Sequence, residues 1–158
     1  MSLLAFCEWL AATEGSIALH ESLYMYPLIE SAHVLALCLF VGLAIVLDLR
    51  LLGRLLRGVP VSQVADRLLP WTISGFIMMV STGVPLFLSE PIKCYYSPAF
   101  WVKMWTLAFA LMFTYTIRTK TTRMEYVRNT ARRQVLVGAL SIALWFTVAS
   151  AGRWIGFS

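Results

Sequence analysis

An all-α integral membrane protein, built as a bundle of four spanning helices, is the fold class this 158-residue sequence predicts. Three observations carry that expectation. The composition is 59% hydrophobic and only 13% charged, too apolar for an ordinary soluble domain. Four apolar runs, at about 27–52, 68–88, 100–117 and 135–154, approach or exceed the roughly 20 residues a helix needs to cross a bilayer core about 30 Å thick. Ten of the thirteen lysines and arginines fall in two short segments between those runs: Arg50, Arg54, Arg57 and Arg67, then Arg118, Lys120, Arg123, Arg128, Arg132 and Arg133. Cytoplasmic loops hold an excess of Lys and Arg, so both segments are expected inside and both termini outside, N-out and C-out, in a bacterial inner membrane. Glu8, Glu14, Glu21, Glu30 and Glu90 then fall toward the outer side, with the only two histidines, His20 and His33. The net charge of +5 belongs to orienting loops rather than to nucleic-acid binding. Residues 1–158 read as a single membrane domain.

The elements follow in order. Residues 2–23 are expected to form an interfacial segment. Within it, residues 2–12 make a short amphipathic helix with Leu3, Phe6, Cys7 and Leu10 on one face, Trp9 as an interfacial anchor, and Gly15 ending it. Its apolar stretch lacks a cationic flank and is interrupted by Glu8, which argues against a cleaved signal peptide. Residues 16–26 lead into the first span, with Pro27 in the first turn; the alternative is one helix from Ser16 kinked at Pro27. Gly53, Gly58 and Pro60 close that span, and Ser62-Gln-Val-Ala-Asp reads as a capped turn before the second. The second span contains Pro70, Gly75, Gly83 and Pro85, and Pro85 should kink its outer end. Ser97-Pro98 opens the third, with Trp101 and Trp105 as an aromatic belt near Lys103. The fourth carries Gly138, Ala139, Ser141 and Ala143, small residues that let helices approach closely.

Ionisable groups inside a span are costly, so their presence points to function. Glu30 and His33, at i and i+3, share a helix face one to two turns below the outer surface. In one reading His33 ligates a metal or haem iron, and Glu30 orients its ring or takes a proton. In the other they form a hydrogen-bonded pair inside the bundle. His20 lies about 20 Å from His33 along a straight helix, so the two share a metal only if the chain breaks near Pro27 or segment 13–26 folds back. Met25, Met78, Met79 and Met104 are alternative soft ligands. Lys103 and Arg153, at the outer ends of the third and fourth spans, either snorkel to head groups or pair with Glu30 or an anionic group such as a haem propionate or a quinone oxygen. Asp48 is expected to pair with Arg50, Arg54 or a loop arginine, as architecture. The three cysteines show no metal-type spacing. Cys7 and Cys94 would share the outer side, where they either form a disulfide or serve as small apolar residues; Cys38 packs.

With those residues in place, the sequence resembles a bacterial family of uncharacterised small integral membrane proteins. The resemblance is carried by Tyr26-Pro-Leu-Ile-Glu-Ser-Ala-His-Val-Leu, Val41-Gly, Asp48-Leu-Arg-Leu-Leu-Gly, Leu69-Pro-Trp, Pro98-Ala-Phe-Trp-Val-Lys and Ala151-Gly-Arg-Trp. More distantly the layout is similar to copper-resistance D-type proteins and HemJ-type protoporphyrinogen oxidases, whose pattern His33, Gly42, Arg50 and Lys103 match. Haem b binding is what that distant likeness implies.

The expected function is therefore a haem b protein that moves electrons between the quinone pool and a periplasmic partner. His33 is the axial ligand, Glu30 its supporting partner, and Lys103 or Arg153 lies toward the propionates. A copper-handling or transport-associated protein using His20, His33 and methionines is one alternative, with copper replacing haem. A non-catalytic accessory subunit of a membrane complex is the other.

Overall fold

Helices account for the regular structure of the computed structural model, which describes residues 2–123 and 130–156, with no strand among the described residues. Two short helices, α1 (Leu3–Ala11) and α2 (Glu14–Glu21), precede the long α3 (Met25–Leu51) and α4 (Val61–Ser89). A single-turn α5 (Pro91–Tyr96) leads into α6 (Pro98–Phe113), which continues through a π-helical stretch at Thr114–Arg118 into α7 (Thr119–Arg123). The last helix is α8 (Thr130–Ile155). Four stretches are long and apolar enough to cross a membrane: Met25–Leu51, Val61–Ser89, Pro98–Arg123 and Ala131–Ile155.

Each break in the chain has a local cause. Ser2 caps α1 by accepting the Ala5 N–H at 3.2 Å. Thr13 ends α1 and starts α2, since its hydroxyl donates to Leu10 O at 2.7 Å and accepts from Ser16 N at 3.4 Å. Gly15 thus lies within α2 and does not terminate α1. The buried residue of α1 is Cys7, Leu10 is half-buried, and Leu3, Phe6 and Trp9 are exposed, so the face expected to act as a unit is split between the protein and the outside. The chain breaks again at 22–24, and Pro27 falls in the first turn of α3, where its missing N–H costs nothing. Past α3, Gly53 takes φ +65° and Leu56 φ +51°, and Arg50 Nε holds the loop by donating to Val59 O at 2.8 Å.

At the arginine-rich end the helices run further than hydropathy suggests. The segment expected as a turn, Ser62–Asp66, is the first part of α4. Twenty-nine residues make a helix about 44 Å long, longer than an apolar layer of about 30 Å, so the surplus is polar. The third span likewise continues to Arg123. Its end is tied to α4 by Arg123, whose Nη2 donates to Asp66 Oδ1 at 2.6 Å on the surface. Arg128 lies outside the described residues.

α3 is the hub, packing against α4 and α8, while α6 packs against α8. Its inward face is Ala36, Phe40, Ala44, Leu47, Asp48 and Leu51, at the three- and four-residue spacing of a helix stripe. Phe40 and Ala44 meet Ala110, Trp145 and Val148 in the central cluster. Small residues set the approach distances. A Cβ on Gly138 would stand 2.9 Å from Asp48 O, and one on Gly75 would stand 3.3 Å from Phe40 Cβ. Ser141 joins Gly138 on the buried face of α8, but Ala139 and Ala143 are exposed. α4 runs unbroken through both Pro70 and Pro85. Large apolar side chains such as Leu35, Trp71, Trp105, Leu136 and Phe146 cover the outside, an exterior suited to lipid.

One ion pair is wholly internal. Asp48 is 0% exposed and accepts from Arg118 Nε at 2.7 Å, while Arg118 Nη2 donates to Ala44 O at 2.9 Å. Asp48 therefore pairs neither with Arg50 nor with Arg54. Its partner comes from the second basic segment, but as a buried residue of the π-helical stretch and not as a loop charge.

Candidate functional site

At the end of the bundle opposite the arginines, the start of α3, the ends of α4 and α8, and the start of α6 surround a cavity of about 350 Å³. Glu30, His33, Lys103 and Arg153 all line it. These four residues, drawn from three helices, are the ones the sequence singles out for cofactor binding, and the fold brings them to one place.

His33 is held by a neighbour the sequence does not flag. Its Nδ1 lies 2.8 Å from Thr82 Oγ1, and Thr82 donates its own proton to Met78 O at 2.7 Å. A hydroxyl that is donating elsewhere can only accept from the ring, so Nδ1 carries the proton and Nε2 keeps its lone pair. A ring oriented through one nitrogen with the other free is how ligating histidines are arranged. Glu30, expected to hold that ring, lines the same cavity but is not the bonded partner. Gly83, next to Thr82, lets the imidazole lie close against α4: a Cβ there would stand 3.2 Å from His33 Cε1.

The cationic wall has a similar device. Lys103 Nζ lies 3.5 Å from where a Cβ on Gly152 would be, so Gly152, before Arg153, lets the ammonium lie against α8. No salt bridge reaches Lys103 among the described residues. Phe87 and Phe100 stack at 5.6 Å and 16° on the apolar side. Cys94 of α5 also borders the cavity. Burial, reinforced by the charge of Glu90, pushes its thiol up to about 11, against the opposing pull of Lys103 and Lys93. Cys7, Cys38 and Cys94 are all free thiols: of the two readings of Cys7 and Cys94, the structure holds them as buried small residues and not as a disulfide, while Cys38, expected to pack, is exposed on the outer face of α3.

His20 lies elsewhere. It lines a separate cavity of about 330 Å³ with Ser16, Glu90 and Lys93. Its side chain is 58% exposed, and its Nδ1 is 3.9 Å from Glu90 Oε1. Glu90 gathers this end: Lys93 Nζ approaches it at 3.7 Å, and the Tyr26 hydroxyl donates to it at 3.5 Å. Chain breaks on both sides of α2 do fold 13–26 back, yet His20 and His33 line different cavities. Of the candidate methionines, Met25, Met78 and Met104 are exposed, and Met79 packs against the central apolar cluster. Among the described residues no three His, Cys, Asp or Glu side chains converge on one point.

The comparisons with known proteins place the chain without assigning it chemistry. A family model described as a family of unknown function, DUF6644, matches residues 6–158. The chain belongs to that family. No curated protein and no solved structure matches, so the distant likeness to copper-resistance D-type and HemJ-type proteins has no support from that side. For this family member the site must be read from its own groups: an imidazole with a free nitrogen, an ammonium, a guanidinium and a carboxylate around an apolar cavity. That set can ligate one metal centre, neutralise acidic substituents and hold a proton.

Proposed function

We propose that this DUF6644 protein is an inner-membrane haem b protein, oriented with its arginine-rich end in the cytoplasm, that passes electrons between the quinone pool and a periplasmic partner. The observation carrying the reading is the convergence of His33, Lys103, Arg153 and Glu30 on one cavity among span-length helices. The orientation rests on Arg54, Arg57, Arg67, Lys120, Arg132 and Arg133, exposed side chains of one end of the bundle.

The residues present fit the group. His33 Nε2 is the nitrogen left to ligate iron, Thr82 fixes the ring, and Gly83 lets the ring lie against α4. Lys103 and Arg153 would meet the two propionates, with Phe87 and Phe100 against the macrocycle's apolar edge. Bound there, haem would supply one-electron chemistry. Glu30 stands on the His33 side of the cavity, where it can take or return the proton that accompanies a change of charge. The copper reading has less behind it, because no trio of ligating side chains converges among the described residues.

An absorbance spectrum of the purified chain tests this. The wild type should show a Soret band, sharpened with an α band on reduction, and His33→Ala should lose both while inserting at the same level. A colourless wild type, or an unaltered spectrum in His33→Ala, overturns the reading. Colourless protein with stoichiometric copper would favour the metal-handling alternative, and protein with neither would favour an accessory subunit.

A further inference from the structure

The helix that runs from Pro98 to Arg123 changes its hydrogen-bond register once. At Thr114–Arg118 it opens into a π turn, so that the Thr119 N–H reaches back to Thr114 O, and Thr119 Oγ1 donates to the same carbonyl at 2.8 Å. Such turns are frequent at functional sites. This one borders a third cavity, of about 170 Å³, nearer the arginine-rich end than the other two. Its inner wall is aromatic: Phe40 meets Trp145 edge-on at 4.8 Å and Phe76 at 5.8 Å. Its mouth is formed by Leu69, Ile73 and Tyr115, exposed on the apolar outside of the bundle. The cavity therefore opens sideways, where lipid would lie.

Two donors in this wall lack an acceptor. Trp145 is 1% exposed, and neither its Nε1 nor Thr114 Oγ1 has a hydrogen-bond partner among the described residues. An indole N–H can only donate, so the wall is complementary to an acceptor oxygen. The charges around it are already balanced, Arg118 by Asp48 at 2.7 Å and Arg123 by Asp66 at 2.6 Å. A neutral guest is favoured over an anionic lipid head group. The space is several times the share of a single water, about 30 Å³.

We propose that this cavity docks a membrane-soluble quinone, its ring against Phe40, Phe76 and Trp145, one carbonyl oxygen accepting from Trp145 Nε1 and Thr114 Oγ1, and its tail leaving past Leu69 and Ile73 into lipid. The proposal deepens the redox reading by giving its lipid-soluble partner a place, but it stands on this cavity's own groups and requires no haem.

The test uses the full chain in mild detergent and a photoreactive azido-benzoquinone with a short isoprenoid tail. Saturable labelling should map to segments 40–47, 65–76, 111–123 and 140–149 and be competed by an unlabelled short-tail ubiquinone. Thr114→Val keeps the side chain's shape and removes the hydroxyl, and should weaken binding about 2–10-fold, the worth of one net hydrogen bond. Ile73→Trp fills the mouth from an exposed position, leaving the core packing alone, and should suppress labelling. His33→Ala should leave labelling unchanged even though it removes haem, so failure of this proposal and failure of the haem reading are separable. Label confined to other segments, absence of saturable labelling, wild-type binding in both pocket variants, or displacement by phosphatidylglycerol but not by the quinone would each overturn it.

Discussion

Removing the Arg118 guanidinium probes how the bundle is held at its least accessible point. Arg118→Met keeps an unbranched stem of similar girth and deletes Nε and Nη2, the donors to Asp48 Oδ1 at 2.7 Å and to Ala44 O at 2.9 Å. Asp48 is 0% exposed and cannot turn its carboxylate toward water, and its Oδ2 has no hydrogen-bond partner among the described residues. Breaking one side of a buried pair costs about 3–5 kcal/mol, and the lost bond to Ala44 O overlaps with that cost rather than adding to it. A loss of about 4 kcal/mol in a chain of this size lowers the unfolding midpoint by roughly 8–16 °C. Replacing both partners, Asp48→Leu with Arg118→Met, should recover most of the loss, because an apolar pair of similar volume is often neutral or stabilising. Thermal unfolding in mild detergent, followed by circular dichroism, reads Arg118→Met, Asp48→Leu alone and the double variant. A wild-type midpoint for Arg118→Met, or a double variant as unstable as the two single losses combined, would refute the buried-pair reasoning.

Three further expectations use other parts of the fold. Gly138→Val should cost about 1–3 kcal/mol by overpacking, because a Cβ there already stands 2.9 Å from Asp48 O; Gly42→Ala, with nothing within 4 Å, should be neutral or stabilise by up to about 1 kcal/mol, and equal midpoints would contradict the contact geometry. A Cys94 thiol raised to about 11 is roughly one part in a thousand thiolate at pH 8. Its alkylation, read by mass spectrometry, should climb steadily with pH, and Glu90→Gln should move the curve to lower pH; a midpoint at the ordinary thiol value speaks against burial beside Glu90. In intact cells a membrane-impermeant maleimide should reach Leu23→Cys and miss Gln63→Cys until lysis, whereas the reverse pattern would invert the proposed orientation.

The four spans were legible because the property that makes them, a long apolar run, is itself a sequence property. Their ends at the arginine-rich side were not, for the same reason. Hydropathy reports where a helix sits in an apolar layer, and Ser62–Asp66 and Thr119–Arg123 are helix that extends beyond it. Arg118 was counted among the loop charges because a charge tally cannot distinguish a solvated guanidinium from one that faces Asp48; only the packing of α3 against its neighbours does that. Glu30, His33, Lys103 and Arg153 could be nominated singly, each as an ionisable group in or near a span, and the tertiary structure then put them around one cavity. Thr82 could not. A threonine in a membrane helix usually bonds its own backbone, as Thr82 does to Met78 O, and nothing local reveals that His33 leans on the same oxygen. The cavity beside the π turn was hidden too, since a π turn leaves no mark in hydropathy and Trp145 reads as one more apolar residue.

The wide sequence separation of these contacts has a consequence for how the molecule is made. α3 emerges first among the long helices and carries Glu30, His33 and Asp48, yet His33 waits 49 residues for Thr82 and Asp48 waits 70 for Arg118. At synthesis rates of about 5–20 residues per second, the second interval lasts roughly 4–14 s. Throughout it Asp48, in the last turn of α3, lacks this partner; an acid costs about 2.5–3.5 kcal/mol at the centre of a helix in lipid and less toward its ends. α3 also has the highest mean hydropathy of the four, 2.5 against 1.3–1.9 for the others. Its apolar excess is what can keep a helix that carries Glu30, His33, Asp48 and Arg50 in the bilayer until the third span arrives. Weakening α3 by Leu→Ala changes at outward-facing positions such as Leu28 and Leu35 should therefore depress assembly far more than the same changes in the later helices, with little of the finished bundle's packing disturbed.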